Sequence, residues 1–125
     1  MRLLNNLYKV LCADSKDGRL TFKVKLDPDC FIYQTHFPGN PITPGVCLIQ
    51  ITSELLELEY HNIFDLSYLK NIKFKKIVRP GETVSFVFSD MTIKNSMCNV
   101  VVSVEKEDVQ YAKMSMQFNI IKNEL

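Results

Sequence analysis

The chain has 125 residues, 46% of them hydrophobic, and its 15 lysines and arginines against 14 acidic residues leave a formal charge of +1. This length fits one domain, residues 1–125, able to bury roughly two-thirds of the surface of the unfolded chain. The near-zero charge argues against a general nucleic-acid binder, which needs many phosphate contacts, and the ordinary apolar content excludes an intrinsically disordered chain.

The chain begins with a pattern typical of two strands, 6–13 and 18–26, joined by a turn at 14–18. In the second strand every even-numbered position from Leu20 to Leu26 is apolar and alternates with polar residues, which predicts one buried face. Four prolines in seventeen residues follow. Because proline fixes φ and lacks an amide hydrogen, we expect a stiff loop there, without a regular helix or ladder.

A helix is predicted from Val46 to about Tyr60, where Thr43 followed by Pro44 is typical of a capped helix start. The first half of this segment is apolar almost all round, which predicts that it is buried. One polar stripe interrupts it at three- and four-residue spacing, so its members share a helix face. The stripe consists of Gln50, Ser53, Glu54, Glu57 and His61.

The rest of the chain predicts four further strands, at 67–78, 82–91, 96–105 and 109–121. The expected order is therefore two strands, one helix and four strands. One apolar helix among six long strands favours an α+β fold in which the sheet curls around the helix.

The four cysteines, at positions 12, 30, 47 and 98, include no CxxC pair, and neither histidine neighbours one in sequence. We therefore expect no metal site, and we interpret Cys47 as a packing residue. No apolar run resembles a signal peptide or approaches the roughly 20 residues of a membrane span. These patterns predict a cytoplasmic chain with free thiols and no membrane association.

Two segments carry a resemblance to a known family. Residues 36–46 read HFPGNPITPGV, and residues 74–82 read FKKIVRPGE. The first resembles the HFPGxPxxPGV signature of the β-hydroxyacyl-acyl-carrier-protein dehydratases of type II fatty-acid synthesis, and the second resembles their FxxxVxPGD strand and turn. The resemblance spans nearly the whole chain and implies the hotdog fold, a curved antiparallel sheet around one long helix, usually paired into a dimer.

The resemblance also implies the roles of site residues in removing water from a 3-hydroxyacyl thioester without a cofactor. His36 matches the catalytic histidine of the family, and an imidazole suits proton transfer near neutral pH. Gly45 matches the residue whose amide meets the thioester oxygen, and a helix start favours developing negative charge. Phe37 and Val46, beside these two residues, are expected to contact the substrate.

The departures from the family pattern concern the proton donor. Fourteen residues after the histidine the family has Glu or Asp, and this chain has Gln50, which cannot give up a proton. The carboxylate stands one helical turn further on, at Glu54, about 6 Å along the axis. Glu54 could act as the acid in a shifted pocket, His36 could work with a water held by Gln50, or dehydration could be lost. Thr35 replaces the usual glycine.

The resemblance implies partners as well. In the family the histidine of one subunit meets the helix carboxylate of the other, so we expect a homodimer or a higher even oligomer. A basic cluster lies on and after the third strand and is the expected docking surface for an acyl-carrier protein or an acyl-CoA thioester. It consists of Lys70, Lys73, Lys75, Lys76 and Arg79.

Two other functions remain open from the sequence. A hotdog acyl thioesterase would need a carboxylate to activate water, and Glu54 is the candidate for that role. A non-catalytic subunit that binds acyl chains or completes a heterodimer is motivated by Gln50.

Overall fold

The computed structural model describes residues 2–36 and 38–123. It contains six strands and two helices in the order β-β-α-α-β-β-β-β. They are β1 (Tyr8–Lys16), β2 (Arg19–Leu26), α1 (Ile32–Thr35), α2 (Gly45–Tyr60), β3 (Ile63–Phe74), β4 (Thr83–Lys94), β5 (Met97–Lys106) and β6 (Val109–Ile121).

The strands form one antiparallel sheet with the order β1-β2-β4-β5-β6-β3. Alternate side chains of the strands point to one face, and together with α2 they build a single hydrophobic cluster. This is the α+β hotdog arrangement that the sequence predicted. Among the residues described, no helix is both long enough and apolar enough to cross a membrane.

The first hairpin shows why β2 has one buried face. Leu20 to Leu26 are buried at every second position, as the alternation predicted. The turn is tighter than expected, because β1 continues to Lys16 and only Asp17 and Gly18 connect the strands. Both turn residues have positive φ, 52° and 74°, which suits a two-residue hairpin turn whose twist matches the strands.

Helix α2 is the core of the molecule. Leu48, Ile51 and Leu55 are almost completely buried. Val46, however, is 74% exposed, so the expectation of a buried first half is confirmed only in part. The expected cap was wrong in detail: Pro44 occupies the N-cap position, and no side chain caps the helix there.

Two other local predictions need correction. The proline-rich stretch contains the short helix α1, which fits between two prolines and so avoids their steric conflict. The third strand lies at 63–74 instead of 67–78. It ends at Phe74 because the next two amides, of Lys75 and Lys76, both donate to the Tyr111 carbonyl (2.8 and 3.1 Å), which breaks the ladder.

The sheet has two different edges. Edge strand β1 carries one large exposed apolar side chain, Leu11. Edge strand β3 is twelve residues long and is rich in such side chains, which are Ile63, Leu66, Tyr68, Leu69 and Phe74. A long apolar strand with one unpaired side is a ready surface for pairing with another strand.

Candidate active site

Helix α1, which leads into His36, is held in place by a buried hydrogen bond to the loop before α2. His36 ends α1, and its amide donates to the Ile32 carbonyl at 3.0 Å. Tyr33, on the same short helix, shares a 2.7 Å hydrogen bond with the Thr43 hydroxyl, and both residues are buried. The Thr43 amide in turn donates to the Val78 carbonyl at 2.8 Å. Helix α1, the loop before α2 and the segment after β3 are thereby fastened together.

The His36 ring is exposed and its tautomer can be read from its neighbours. Its Nδ1 lies 3.3 Å from the Ile32 carbonyl oxygen and 3.2 Å from the Thr35 hydroxyl. A carbonyl only accepts, so the proton belongs on Nδ1 and leaves Nε2 as the acceptor. Thr35, where the family has glycine, therefore lies against the histidine ring. Phe37 lies outside the described residues.

Gly45 lies at the first turn of α2 and lines a mostly apolar cavity of about 270 Å³. The cavity is lined by the loop before the helix and by residues that follow β3, with Leu48 and Val78 among its walls. The first amides of a helix have no partner within the helix, so this end of α2 presents donors. Val46, the next residue, is 74% exposed.

Phe74 is in direct contact with this helix start. A Cβ built on Gly45 would lie 2.6 Å from the Phe74 Cζ and 2.7 Å from its Cε2. The ring is nevertheless 53% exposed and belongs to the cavity wall. Glycine is required at position 45 by this close approach and not by an unusual φ, because no positive φ is found there.

Glu54 is buried, with 4% of its surface exposed, and every contact of its carboxylate is with a donor. Oε2 accepts from the Leu3 amide at 2.8 Å and from Gln50 Nε2 at 2.9 Å. Oε1 accepts from the Leu4 amide at 2.8 Å and from the Tyr8 hydroxyl at 2.9 Å. Gln50 and Glu54, predicted on one helix face, are thus directly bonded to each other.

The remainder of the polar stripe is also engaged. The Ser53 hydroxyl donates to the Phe64 carbonyl at 2.6 Å, and the Phe64 amide donates to Glu57 at 3.0 Å. His61 caps the helix with φ of 58°, and its amide donates to the Glu57 carbonyl at 2.9 Å. The stripe therefore joins α2 to the beginning of β3.

Burial raises the pKa of two tyrosines and one cysteine in this part of the molecule. Desolvation, followed by the neighbouring Glu54 carboxylate, raises the pKa of Tyr8, so its hydroxyl stays a donor to Glu54. Burial raises the pKa of Tyr33 to about 12, against the lowering effect of its bond to Thr43. Burial also raises the pKa of the Cys47 thiol, which disfavours a reactive thiolate.

Two lysines of the basic cluster share the cavity that Gly45 lines. They are Lys75 and Lys76, the first residues after β3. The Lys75 ammonium group donates to the Gln110 side-chain oxygen, and Lys76 Nζ lies 5.1 Å from the centre of the Tyr111 ring. Both residues therefore line the cavity, while their charged groups contact side chains of β6.

The other members of the cluster lie elsewhere. Arg79 donates to the Asn40 side chain at 3.2 Å, next to the HFPG segment. Lys73 pairs in register with Lys113 of β6 and lines a separate shallow depression. The Lys70 ammonium group donates to Asn99.

Three residues of this region were not predicted from the sequence. Phe74 lies in one of the two motif segments and Tyr33 lies just before the other. Nothing in the sequence around either residue predicts its contact with a distant part of the chain. Tyr8 carries no signal at all, because its partner Glu54 lies 46 residues away. Only a folded chain brings these residues together.

Comparisons with known proteins identify the fold and the family. Residues 12–117 match the family model described as ApeI-like, ApeI dehydratase. The 3-hydroxyacyl-[acyl-carrier-protein] dehydratase FabZ of Levilactobacillus brevis is 32% identical over 114 residues, covering 80% of this chain and 76% of the relative. FabZ of Lactobacillus helveticus is 29% identical over 122 residues, covering 86% and 81%. A solved structure of the dehydratase heterocomplex ApeI:P from Xenorhabdus doucetiae superposes with a TM-score of 0.71 at 17% identity, covering 88% of this chain and 96% of that chain.

We predict that Gly45→Ala changes the free energy of unfolding in opposite directions in two backgrounds. With Phe74 present, the new methyl group displaces the ring and destabilises the protein. In a Phe74→Ala background the clash is gone, and alanine should stabilise the helix by up to about 1 kcal/mol. Urea denaturation of the four proteins measures the coupling. Equal effects of Gly45→Ala in both backgrounds would contradict the steric explanation.

Proposed function

Because the chain belongs to the ApeI-like family of hotdog dehydratases, we propose that it removes water from 3-hydroxyacyl thioesters to give trans-2-enoyl thioesters. The observation that carries this proposal is the orientation of His36. Its Nδ1 faces the Ile32 carbonyl, so Nε2 is the acceptor that a general base needs.

In the proposed reaction His36 Nε2 takes the proton from C2 of the substrate. The C2–H electrons form the C2=C3 double bond while the C3–O bond breaks. The Gly45 amide, at the start of α2, polarises the thioester carbonyl and so stabilises the negative charge that develops on its oxygen. Phe37 and Val46 contact the substrate beside these groups.

The departing hydroxyl still needs a proton. The contacts of Glu54 indicate whether this carboxyl group can supply it. Four donors surround that carboxylate in a buried position, which disfavours it as a mobile acid. We therefore propose that the Gln50 amide orients the hydroxyl or a water, and that the proton held on His36 returns to the hydroxyl, which leaves as water. A single imidazole then serves in both steps of the proton transfer.

We propose that the working unit is a dimer of hotdog units, each formed by residues 1–125. The unpaired apolar edge of β3 supports this pairing, because such an edge is otherwise exposed to water. The family pattern then places His36 of one subunit near α2 of the other. The likeness of the fold to the dehydratase heterocomplex ApeI:P leaves a second hotdog chain as an alternative partner.

We also propose that the acyl chain arrives on an acidic carrier protein or on coenzyme A. Lys75 and Lys76 line the Gly45 cavity, and Lys73 and Arg79, which lie outside it, add positive charge on and after the same strand. Phosphate groups or acidic side chains would be attracted there. The four cysteines are free, which supports a reducing compartment such as the cytoplasm.

We predict that the purified protein forms the conjugated enoyl product from 3-hydroxyacyl thioesters, followed by its ultraviolet absorbance. His36→Ala should lower kcat by about 100-fold or more, because the only proton carrier of the mechanism is removed. His61→Asn is the matched control, since His61 only caps α2 and asparagine tolerates its positive φ.

Three results would decide between the proposed functions. Full activity in His36→Ala would refute the dehydratase mechanism. Release of free thiol without enoyl product, lost in Glu54→Gln, would favour a thioesterase. Neither activity with any chain length would favour a non-catalytic acyl-binding or heterodimer subunit.

We predict that Tyr68→Lys shifts the protein from dimer to monomer at micromolar concentration. Tyr68 is 59% exposed on β3, so the monomer tolerates lysine, whereas a paired edge strand does not. Ile93→Lys, at a half-exposed position of the internal strand β4, is the control and should keep the dimer. Sedimentation velocity measures both. A Tyr68→Lys protein that remains dimeric would exclude pairing through β3.

We predict that the double variant Lys75→Glu/Lys76→Glu raises KM about tenfold for a carrier-linked substrate, because steering of an acidic partner is reversed. KM for a short thioester without the carrier should stay within twofold. Lys23→Glu/Lys25→Glu changes the same charge on exposed positions of β2 and should leave both values unchanged. An equal rise for both substrates would contradict docking at these two lysines.

A further inference from the structure

The Gln50–Glu54 pair shows a feature that the family resemblance does not explain, namely a buried carboxylate that accepts four hydrogen bonds, one of them from Gln50. We infer that Glu54 is a positioning residue for the Gln50 amide, and that the N-terminal segment, residues 2–8, fixes Glu54 for this task. The inference rests on the proposed function, since it assigns how one residue of that site is oriented.

The contacts of Glu54 leave little freedom for its side chain. Each carboxylate oxygen accepts two hydrogen bonds, and the four donor distances lie between 2.8 and 2.9 Å. Two of the donors are backbone amides of Leu3 and Leu4, which move only if the N-terminal segment moves. The third is the buried Tyr8 hydroxyl. Bonds to a buried charged group are the strong ones, so this arrangement is stiff.

A fixed carboxylate determines the orientation of the Gln50 amide. The Glu54 carboxylate can only accept hydrogen bonds. The side of the Gln50 amide that faces it is therefore the NH2 group, whose nitrogen lies 2.9 Å from Oε2. The carbonyl side of the amide then points away from Glu54. A glutamine without such a partner could present either side, because the two ends have nearly the same shape.

The same contact explains why a carboxylate at position 54 favours a hydrogen-bond donor at position 50. The three donors of the N-terminal segment favour a carboxylate at position 54, which supplies acceptors at both oxygens. A carboxylate at position 50 would then lie within hydrogen-bond distance of Glu54, and two like charges at that range repel. A donor at position 50 removes this conflict. The amide at position 50 is thus a consequence of the anchored N-terminus.

The first test measures stability and needs no activity. Gln50→Glu and Glu54→Gln should each lower the melting temperature, because the first places two carboxylates in contact and the second leaves fewer acceptors for the donors of the N-terminal segment. The double variant Gln50→Glu/Glu54→Gln again pairs one donor with one acceptor. Its melting temperature should therefore fall by less than the sum of the two single decreases. Additive losses in the double-mutant cycle would overturn the inference.

The second test separates positioning from a purely structural role. Glu54→Gln should lower kcat about tenfold with KM within twofold, because a misplaced group loses rate before it loses binding. Tyr8→Phe, which keeps the carboxylate and removes one donor, should give a smaller loss in the same direction.

The matched control is Ser53→Ala, the neighbouring position on α2, which loses a 2.6 Å bond to the Phe64 carbonyl without touching Gln50. It should lower the melting temperature and leave kcat unchanged. The side-chain amide resonances of Gln50, assigned by their loss in Gln50→Glu, should shift in Glu54→Gln and not in Ser53→Ala.

The outcomes distinguish this inference from the proposed function. A wild-type protein without dehydratase activity would refute the function, while the double-mutant cycle and the amide resonances would still decide whether Glu54 holds Gln50. An active wild type whose kcat is equally lowered by Glu54→Gln and Ser53→Ala would refute the positioning role alone.

Discussion

The burial of a helix that carries polar side chains is the constraint on which the rest of the molecule depends. Helix α2 lies within the core, so each polar group on it must find a partner there. Thr52 bonds its own helix backbone, Ser53 and Glu57 bond the two backbone groups of Phe64, and Glu54 takes four donors. In the described residues every buried side-chain nitrogen or oxygen is satisfied. These bonds fix β3 and the N-terminal segment relative to the helix.

The same constraint shapes the site at the other end of α2. Pro44 begins the helix without a side-chain cap, so its first amides stay available beside the cavity. Gly45 lets the Phe74 ring approach to a distance that any Cβ would prevent. The bond between Tyr33 and Thr43 then sets the segment that carries His36 against this helix start. The groups proposed for catalysis are thus held by backbone and by buried hydroxyls.

The sequence was sufficient for what local patterns encode. Alternation in 20–26 predicted the buried face of β2, and the two motif segments predicted the hotdog fold and its family. It was insufficient where a residue's partner lies far away in the chain. From the sequence, Glu54 is expected one helical turn after the position of the family's acid. The sequence does not predict that Glu54 contacts the backbone amides of Leu3 and Leu4, which precede it by 51 and 50 residues. The short helix α1 was not predicted, because the number of prolines in a segment does not show whether the residues between two of them can form a helical turn.

The position of Phe74 connects the edge of the sheet to the site. Phe74 is the last residue of β3, the strand whose outer side is unpaired, and its ring forms part of the wall against Gly45. Any chain that pairs along β3 therefore extends to the wall of the cavity. Lys75 and Lys76, the next two residues, also line the cavity, and there the ladder breaks and the backbone turns towards Tyr111. The pairing surface, the cavity wall and these two lysines follow one another in the chain, so the end of one strand brings all three to the same place.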